Sequence, residues 1–425
     1  MGPATRKRTP PPDRSLAAVE RDVIRSLSAR EGELIELARQ LIAVPSPNPP
    51  GDERRVAELA RQAMSSLGYS PVGTHSAAED RPNLIGHVGT PGGGRTLVLN
   101  GHLDTKPAGD ESEWETGPYD PVLRDGRLHG LGATDMKAAV AAMIHAGAAV
   151  RETGALEGTL KVVLTADEEA GSHFGARFLA GHPDAAADAV LVGEPTGMDE
   201  PWAYLAVASR GISCFRVTTR GTQMHSSLSD QVPSVNASVK LARVLSRMAA
   251  EFRPRYPADP RVPGGPTVNL GVTLAGGVYF GVYPGQAEFG IDVRTVPGMT
   301  HDGLRDDLEA FLDRLRGEDP ELEVSAEPVP NLDWFPPAAI DPDHPLVAAA
   351  QHATRTVLGR EVPLGTMPAF TDGTHWHLAG MACIPALGPG SLLRAHRANE
   401  YVVVEEALEA ARIYALTALR YLNGS

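Results

Sequence analysis

Three short apolar runs constrain the fold of this chain most: TLVLN (residues 96–100), LKVVLTA (160–166) and AVLVG (189–193). Each is rich in valine and leucine, has strand length, and gives way to glycine and polar residues. Runs of this kind suit strands covered on both faces, as in a parallel sheet. Apolar residues at helical spacing surround them, from Glu33 to Val44, from Arg54 to Leu67 with Gly68 as C-cap, through the small residues Met136 to Val150, and from Val404 onwards. The turn SPNPPG (46–51) separates the first two. This alternation predicts an α/β fold.

Near Ala206 the pattern changes. A strand at Ile212 to Thr219, a helix at Val235 to Phe252, strands at Thr267 to Leu274 and Ala287 to Arg294, and a helix at Leu304 to Leu315 follow one another. Ala287, Phe289, Ile291 and Val293 alternate with Glu288, Gly290, Asp292 and Arg294, as in a sheet with one covered face, and Leu304, Leu308, Phe311 and Leu315 form one helical stripe. Residues 209–325 therefore read as an α+β domain inserted into an α/β domain made of 16–208 and 326–425. With 425 residues, two cores are the natural expectation. Residues 1–15 are basic and proline-rich without the apolar core of a secretory signal, and are expected to form a disordered extension.

A net charge of −14 disfavours nucleic acid and anionic membranes as partners, and no apolar run reaches the ~18 residues of a membrane span. Cys214 and Cys383 are too few for a disulfide framework, so a metal site must draw on histidines and carboxylates, and a reducing cytoplasm is the expected location.

Such residues stand where open α/β sheets place ligands, just past strand ends. His102 closes the first run and Asp104 lies two residues on, so a carboxylate can hold one imidazole nitrogen and leave the other for a metal. Alone, the pair equally suits a buried histidine satisfied by its neighbour. Asp135 stands at the mouth of the small-residue helix, where an N-cap role would be unremarkable. The glycines of GLGATD resemble a dinucleotide loop, but Asp135 takes the place of its third glycine and RDGRLH makes a poor buried strand. Asp167, Glu168 and Glu169 follow the second run, and three carboxylates at the end of a core strand repel one another unless a cation neutralises them. Glu168 and Glu169 should point different ways, one to a metal and one to a water. Glu194 follows the third run, and His396 lies in a glycine-rich loop before the last helix.

In this order and spacing, the five segments from about residue 30 to 420 resemble the zinc-dependent acetylornithine deacetylase and succinyl-diaminopimelate desuccinylase family, with its aminoacylase, carnosine-type dipeptidase and glutamate carboxypeptidase relatives. The resemblance implies a zinc-peptidase-like domain with a mixed central sheet. It implies two Zn²⁺ ions, with Co²⁺ or Mn²⁺ as substitutes: His102 and Glu194 on one, Glu169 and His396 on the other, Asp135 bridging. Glu168 would be the general base and Asp104 the partner of His102. The inserted domain would be a lid that pairs into a homodimer, with His225 as oxyanion donor and Asn269 and Arg294 as substrate contacts.

The implied activity is hydrolysis of an N-acyl amino acid by metal-activated water, with a dipeptidase or carboxypeptidase using the same centre as the alternative and a non-catalytic metal binder as the distant one. Leu131 and TDGTHW (371–376) depart from the family pattern, which more often has Arg and Thr-Asp-Ala-Arg there; His375 and His377 are expected on a solvent-facing helix.

Overall fold

The computed structural model describes residues 15–89 and 94–424, so the expected N-terminal extension lies outside the described residues apart from Ser15. A six-stranded mixed sheet runs in the order Val72–Ser76, Pro82–Gly89, Thr159–Thr165, Thr96–His102, Ala189–Val192, Ala382–Ile384. The first two strands are antiparallel and form one margin. The other four are parallel, and all three apolar runs lie among them. Every residue of Thr159–Thr165 is buried, as burial on both faces requires.

Helices cover both faces. On one, Leu16–Ser28, Glu31–Ile42, Ala138–Thr153, Pro345–Leu358 and Val404–Leu422 share a continuous core with the sheet. Ala138–Thr153 is buried from Ala138 to Val150, because its alanines and Gly147 let it pass between sheet and outer helices; a Cβ at Gly147 would stand 2.0 Å from Tyr69 Oη. On the other face Val98, Val163, Val190 and Val192 pack with Leu179, Trp376 and Cys383.

The segment between residues 211 and 328 builds a second, antiparallel sheet in the order Thr267–Gly276, Gln286–Thr295, Gly211–Arg220, Glu323–Pro328. Its core is separate: Phe215, Val217, Ala287, Phe289, Ile291 and Val293 lie against Leu241, Val244 and Met248 of Ala237–Glu251 and against Leu304, Leu308, Phe311 and Leu315 of His301–Glu318. Each large apolar side chain buried there contributes roughly 1.5–3 kcal/mol. The two passages between the sheets are laced together. Ile212 and Phe335 exchange both main-chain hydrogen bonds at 2.9 Å, and Ser209 N donates to Ala338 O at 2.9 Å.

Candidate metal centre

Three neighbouring parallel strands end on the same edge of the central sheet, and each delivers ligand-type residues there. His102 is the last residue of Thr96–His102. Glu168 and Glu169 follow Thr159–Thr165 after a left-handed residue, Asp167 (φ 65°), and Gly171 (φ 105°) turns the chain away. Glu194 follows Ala189–Val192 across Gly193, where a Cβ would stand 2.2 Å from Met143 Cε. His396 comes from the loop after Gly388–Ser391.

Asp135 lies at the centre. Its Oδ1 is 2.9 Å from His102 Nε2, and its Oδ2 is 3.1 Å from His396 Nε2. The same His102 nitrogen is 3.6 Å from Glu194 Oε1, and the same His396 nitrogen 3.1 Å from Glu169 Oε1. One carboxylate thus spans two histidine–glutamate pairs. Donor atoms of His102, Asp135 and Glu169, and likewise of His102, Glu168 and Glu194, lie within 4.8 Å of one another. The helix does not begin at Asp135, as its sequence position suggested: Asp135 (φ −129°, ψ 91°) and Met136 are non-helical, and Ala138–Thr153 starts after them. The carboxylate therefore turns towards the histidines instead of capping.

His102 Nδ1 lies 3.0 Å from the main-chain carbonyl of Asp104 and 3.5 Å from its Oδ1, so the ring is held mainly by backbone. An acceptor-only carbonyl fixes the proton on Nδ1 and presents the Nε2 lone pair to the carboxylates. The Asp104 carboxylate instead braces the acidic loop. Its oxygens accept the main-chain N–H groups of Glu168 and Glu169 at 3.1 Å each, and Asn48 Nδ2 at 2.8 Å. Asp167 is not part of the repelling acidic group. Its Oδ1 accepts from Asn48 Nδ2 at 3.0 Å and lies 3.5 Å from Arg81 Nη1, and its Oδ2 accepts the Phe174 N–H at 3.1 Å.

Without a cation between them, these groups perturb one another strongly. Burial, and then the charge of Glu194, raises Glu168 well above the usual carboxylate range; burial and then Asp135 do the same to Glu194. Burial works against a charged His102, but Asp104 and Asp135 outweigh it and raise its pKa. His396 rises to about 11, burial again opposing and Asp135 and Glu169 prevailing. A lone pair cannot face carboxylate oxygens at 2.9–3.1 Å unless a positive species lies between. Divalent ions held by these donors would answer that demand. Two imidazole nitrogens and three carboxylates without thiolate fit Zn²⁺, Co²⁺ or Mn²⁺.

A cavity of about 720 Å³ opens over the cluster, lined by Asp135, Glu168, Glu169, Glu194 and His396 and by residues from the second sheet. Arg294 reaches it, paired with Asp292 through two contacts of 2.9 and 3.0 Å. His225 and Asn269 do not line it; both are exposed. Leu131 is buried. The helix Gly373–Leu378 faces solvent only at its end: His377 and Leu378 are exposed as expected, whereas His375 is buried with the rest of Thr371 to Trp376. The segment packs beneath the sheet because Trp376 Nε1 donates to Asn100 Oδ1 at 2.9 Å and Asp372 accepts Thr165 Oγ1 and Ser172 Oγ at 2.6 Å each. Burial raises Asp372 to about 6.

Sequence reading missed Asn48, Lys106 and Glu400. Lys106 Nζ lies 3.2 Å from Glu169 Oε2 and donates to the Glu169 carbonyl. Glu400 Oε1 accepts the N–H groups of Thr134 at 2.8 Å and Asp135 at 3.1 Å. NPP and ANEY carried a weak hint, polar residues inside otherwise structural segments, but their partners are too remote in sequence to identify.

Fold and donor set together define a metal-dependent hydrolase of amide bonds. The chain belongs to peptidase family M20/M25/M40, whose profile matches residues 98–420. It is 30% identical over 385 residues to the succinyl-diaminopimelate desuccinylase of Marinobacter nauticus, covering 89% of this chain and 96% of that one. It is 30% identical to the acetylornithine deacetylase of Proteus mirabilis, with coverages of 87% and 91%. An N-formyl-4-amino-5-aminomethyl-2-methylpyrimidine deformylase of Bacillus subtilis is 27% identical, with coverages of 90% and 92%. Among solved structures, the metallo-carboxypeptidase Sso-CP2 of Sulfolobus solfataricus shares the fold with a TM-score of 0.74 at 18% identity, covering 92% of this chain and 99% of that one. Human carnosine dipeptidase 1 does so at 0.71 and 19%, covering 96% and 99%. Among the described residues no helix is long and apolar enough to cross a membrane.

Proposed function

We propose that this protein removes the acyl group from an N-acyl amino acid with the help of two zinc ions. His102 and Glu194 would hold one ion, His396 and Glu169 the other, and Asp135 would bridge. The observation that carries this reading is the division of the Asp135 oxygens between two histidine–glutamate pairs. When bound, ions of this kind lower the pKa of water towards ~7 and polarise an amide carbonyl.

Glu168 lines the cavity beside these donors without belonging to either pair. It takes the proton from the attacking water and returns it to the leaving nitrogen, a role typically contributing ~10²–10⁴ in rate. Asp104 holds the Glu168 and Glu169 main chain so that neighbouring carboxylates take up different duties. Arg294 contacts the substrate from the second sheet.

His225 and Asn269 serve the site of a second copy. The strand Thr267–Gly276 is a sheet edge; Leu274 within it and Tyr279 and Phe280 just after it are 68%, 78% and 93% exposed. An edge with such apolar neighbours suits pairing with the same edge of another chain. The inserted domain then acts as both lid and dimer contact, residues 209–325 in our division. Buried, free Cys214 and Cys383 suit a reducing cytoplasm.

The test is mass spectrometry of acetyl-, succinyl- and formyl-amino acids and dipeptides incubated with zinc- or cobalt-loaded protein. Release of the free amino acid from acyl derivatives supports the proposal. Turnover of dipeptides alone would replace the deacylase with a peptidase at the same centre.

A further inference from the structure

Beside the acidic cluster the catalytic cavity carries an apolar lining. Ile212, Leu332, Phe335, Met367, Phe370 and Leu392 form it, and the rings of Phe335 and Phe370 lie with centroids 4.8 Å apart. These side chains come from both sheets' surroundings: Ile212 and Phe335 from the laced crossing, Met367 from the strand Leu364–Met367 and Leu392 from the loop that carries His396. Outside the metal cluster, two cationic side chains reach the cavity. Lys106 is engaged by the carboxylate and carbonyl of Glu169, and Arg294 is already held bidentate by Asp292.

This distribution limits what can bind. One guanidinium, half neutralised by its own aspartate, can share a single substrate carboxylate. Placed against the apolar lining, a second anionic group or a cationic side chain would face aromatic and aliphatic carbon. Either would lose its hydration without compensation. An apolar group instead exchanges water for contact with that lining, and aromatic pairs gain further from edge-to-face geometry.

We infer that the substrate is a monoanionic N-acyl amino acid whose acyl group or side chain is apolar. The inference rests on the amidohydrolase reading above. The reaction consumes the amide and one water, breaks the carbonyl–nitrogen bond, and yields a carboxylate and an amino acid whose nitrogen receives a proton from water.

Steady-state kinetics of the zinc-loaded full chain on N-acetylphenylalanine, N-acetylleucine, N-acetylornithine and N-succinyl-diaminopimelate test it. The apolar pair should exceed the charged pair in kcat/KM by about 10-fold or more, the scale on which apolar pockets discriminate. Leu332→Lys, at a partly exposed position, should narrow that ratio by raising turnover of the succinyl substrate, and Phe370→Ser should narrow it by lowering turnover of N-acetylphenylalanine. Equal or better turnover of the charged pair by the unmodified protein overturns the inference and leaves the amidohydrolase standing. Calorimetric binding of the same four compounds to zinc-loaded Glu168→Gln protein gives an independent order. If nothing is turned over, the amidohydrolase reading fails, while tighter binding of the apolar pair would still support the cavity assignment and tighter binding of the charged pair would refute it.

Discussion

Glu400 Oε1 accepts the main-chain N–H of Asp135 at 3.1 Å, joining residues 265 positions apart. The residue at the middle of the metal cluster is thus held by a buried carboxylate from the start of the last strand–helix pair. Burial, with the charge of Asp135 added, raises Glu400 to about 8, and the amide donors oppose that rise. Glu400→Ala should weaken metal binding by ~10–100-fold, the usual consequence of losing a group that orients a ligand. Glu400→Gln keeps an acceptor oxygen and should stay close to the parent. Competition titration with a chromogenic chelator measures both; equal affinities for all three proteins would contradict the role.

Glu168→Gln should retain metal and fold but lose ~10² or more in kcat, since it removes a base and keeps the shape of the side chain. Metal analysis alongside kinetics separates this from ligand loss. Retained kcat would exclude Glu168 as the base, and Asp167 would be a poor replacement because Asn48, Arg81 and the Phe174 N–H already engage it.

His225 lies on the exposed surface of the second sheet's domain, with its Nδ1 accepting the Ser227 N–H at 3.3 Å. His225→Ala should keep the metals and the dimer while lowering kcat by ~10²–10³, the typical loss for one oxyanion donor. Mixing it with Glu168→Gln subunits should restore activity, because one site of the heterodimer then has both residues. No recovery after verified subunit exchange would show that His225 does not act across the dimer.

How much of this was legible in the sequence depended on whether a signal was local. The three apolar runs and their terminal His102, Glu168, Glu169 and Glu194 were readable, because strand length, burial and the polar break that follows are all local. The alternation around Phe289 and the stripe from Leu304 to Leu315 were readable for the same reason, and both lie in the second core. The N-cap alternative for Asp135 does not hold, since its backbone is non-helical and its N–H goes to Glu400, a remote partner that no local pattern could reveal. His375 was misplaced because a six-residue helix carries too little pattern to reveal that Trp376 anchors it to Asn100, 276 positions away. Asn48, which ties Asp104 to Asp167 across the turn at Pro49, left only the weak hint of a polar residue in a proline turn.

Stability should depend on pH through His145, a buried histidine away from the candidate metal cluster. Burial lowers His145 to about 4, Arg30 assisting and Glu33 opposing. A histidine depressed in the folded state is more protonated when unfolded between about 4 and its ordinary 6.5. Its contribution is therefore complete above pH 6.5 and is lost progressively as pH falls towards 4. Denaturant unfolding of His145→Gln should show a shallower decline over that window than the parent, by up to ~1.4 kcal/mol per pH unit. Parallel declines would assign the acid sensitivity elsewhere.

The central claim is that His102, Asp135, Glu169, Glu194 and His396 form one two-ion centre that hydrolyses an amide. Plasma emission analysis of protein supplied with zinc, coupled to an assay before and after chelation, tests it most directly. Close to two ions per chain, loss of activity on chelation and its return on adding zinc or cobalt are expected. Metal content near zero in zinc-supplemented protein, or full activity after complete metal removal, would contradict it.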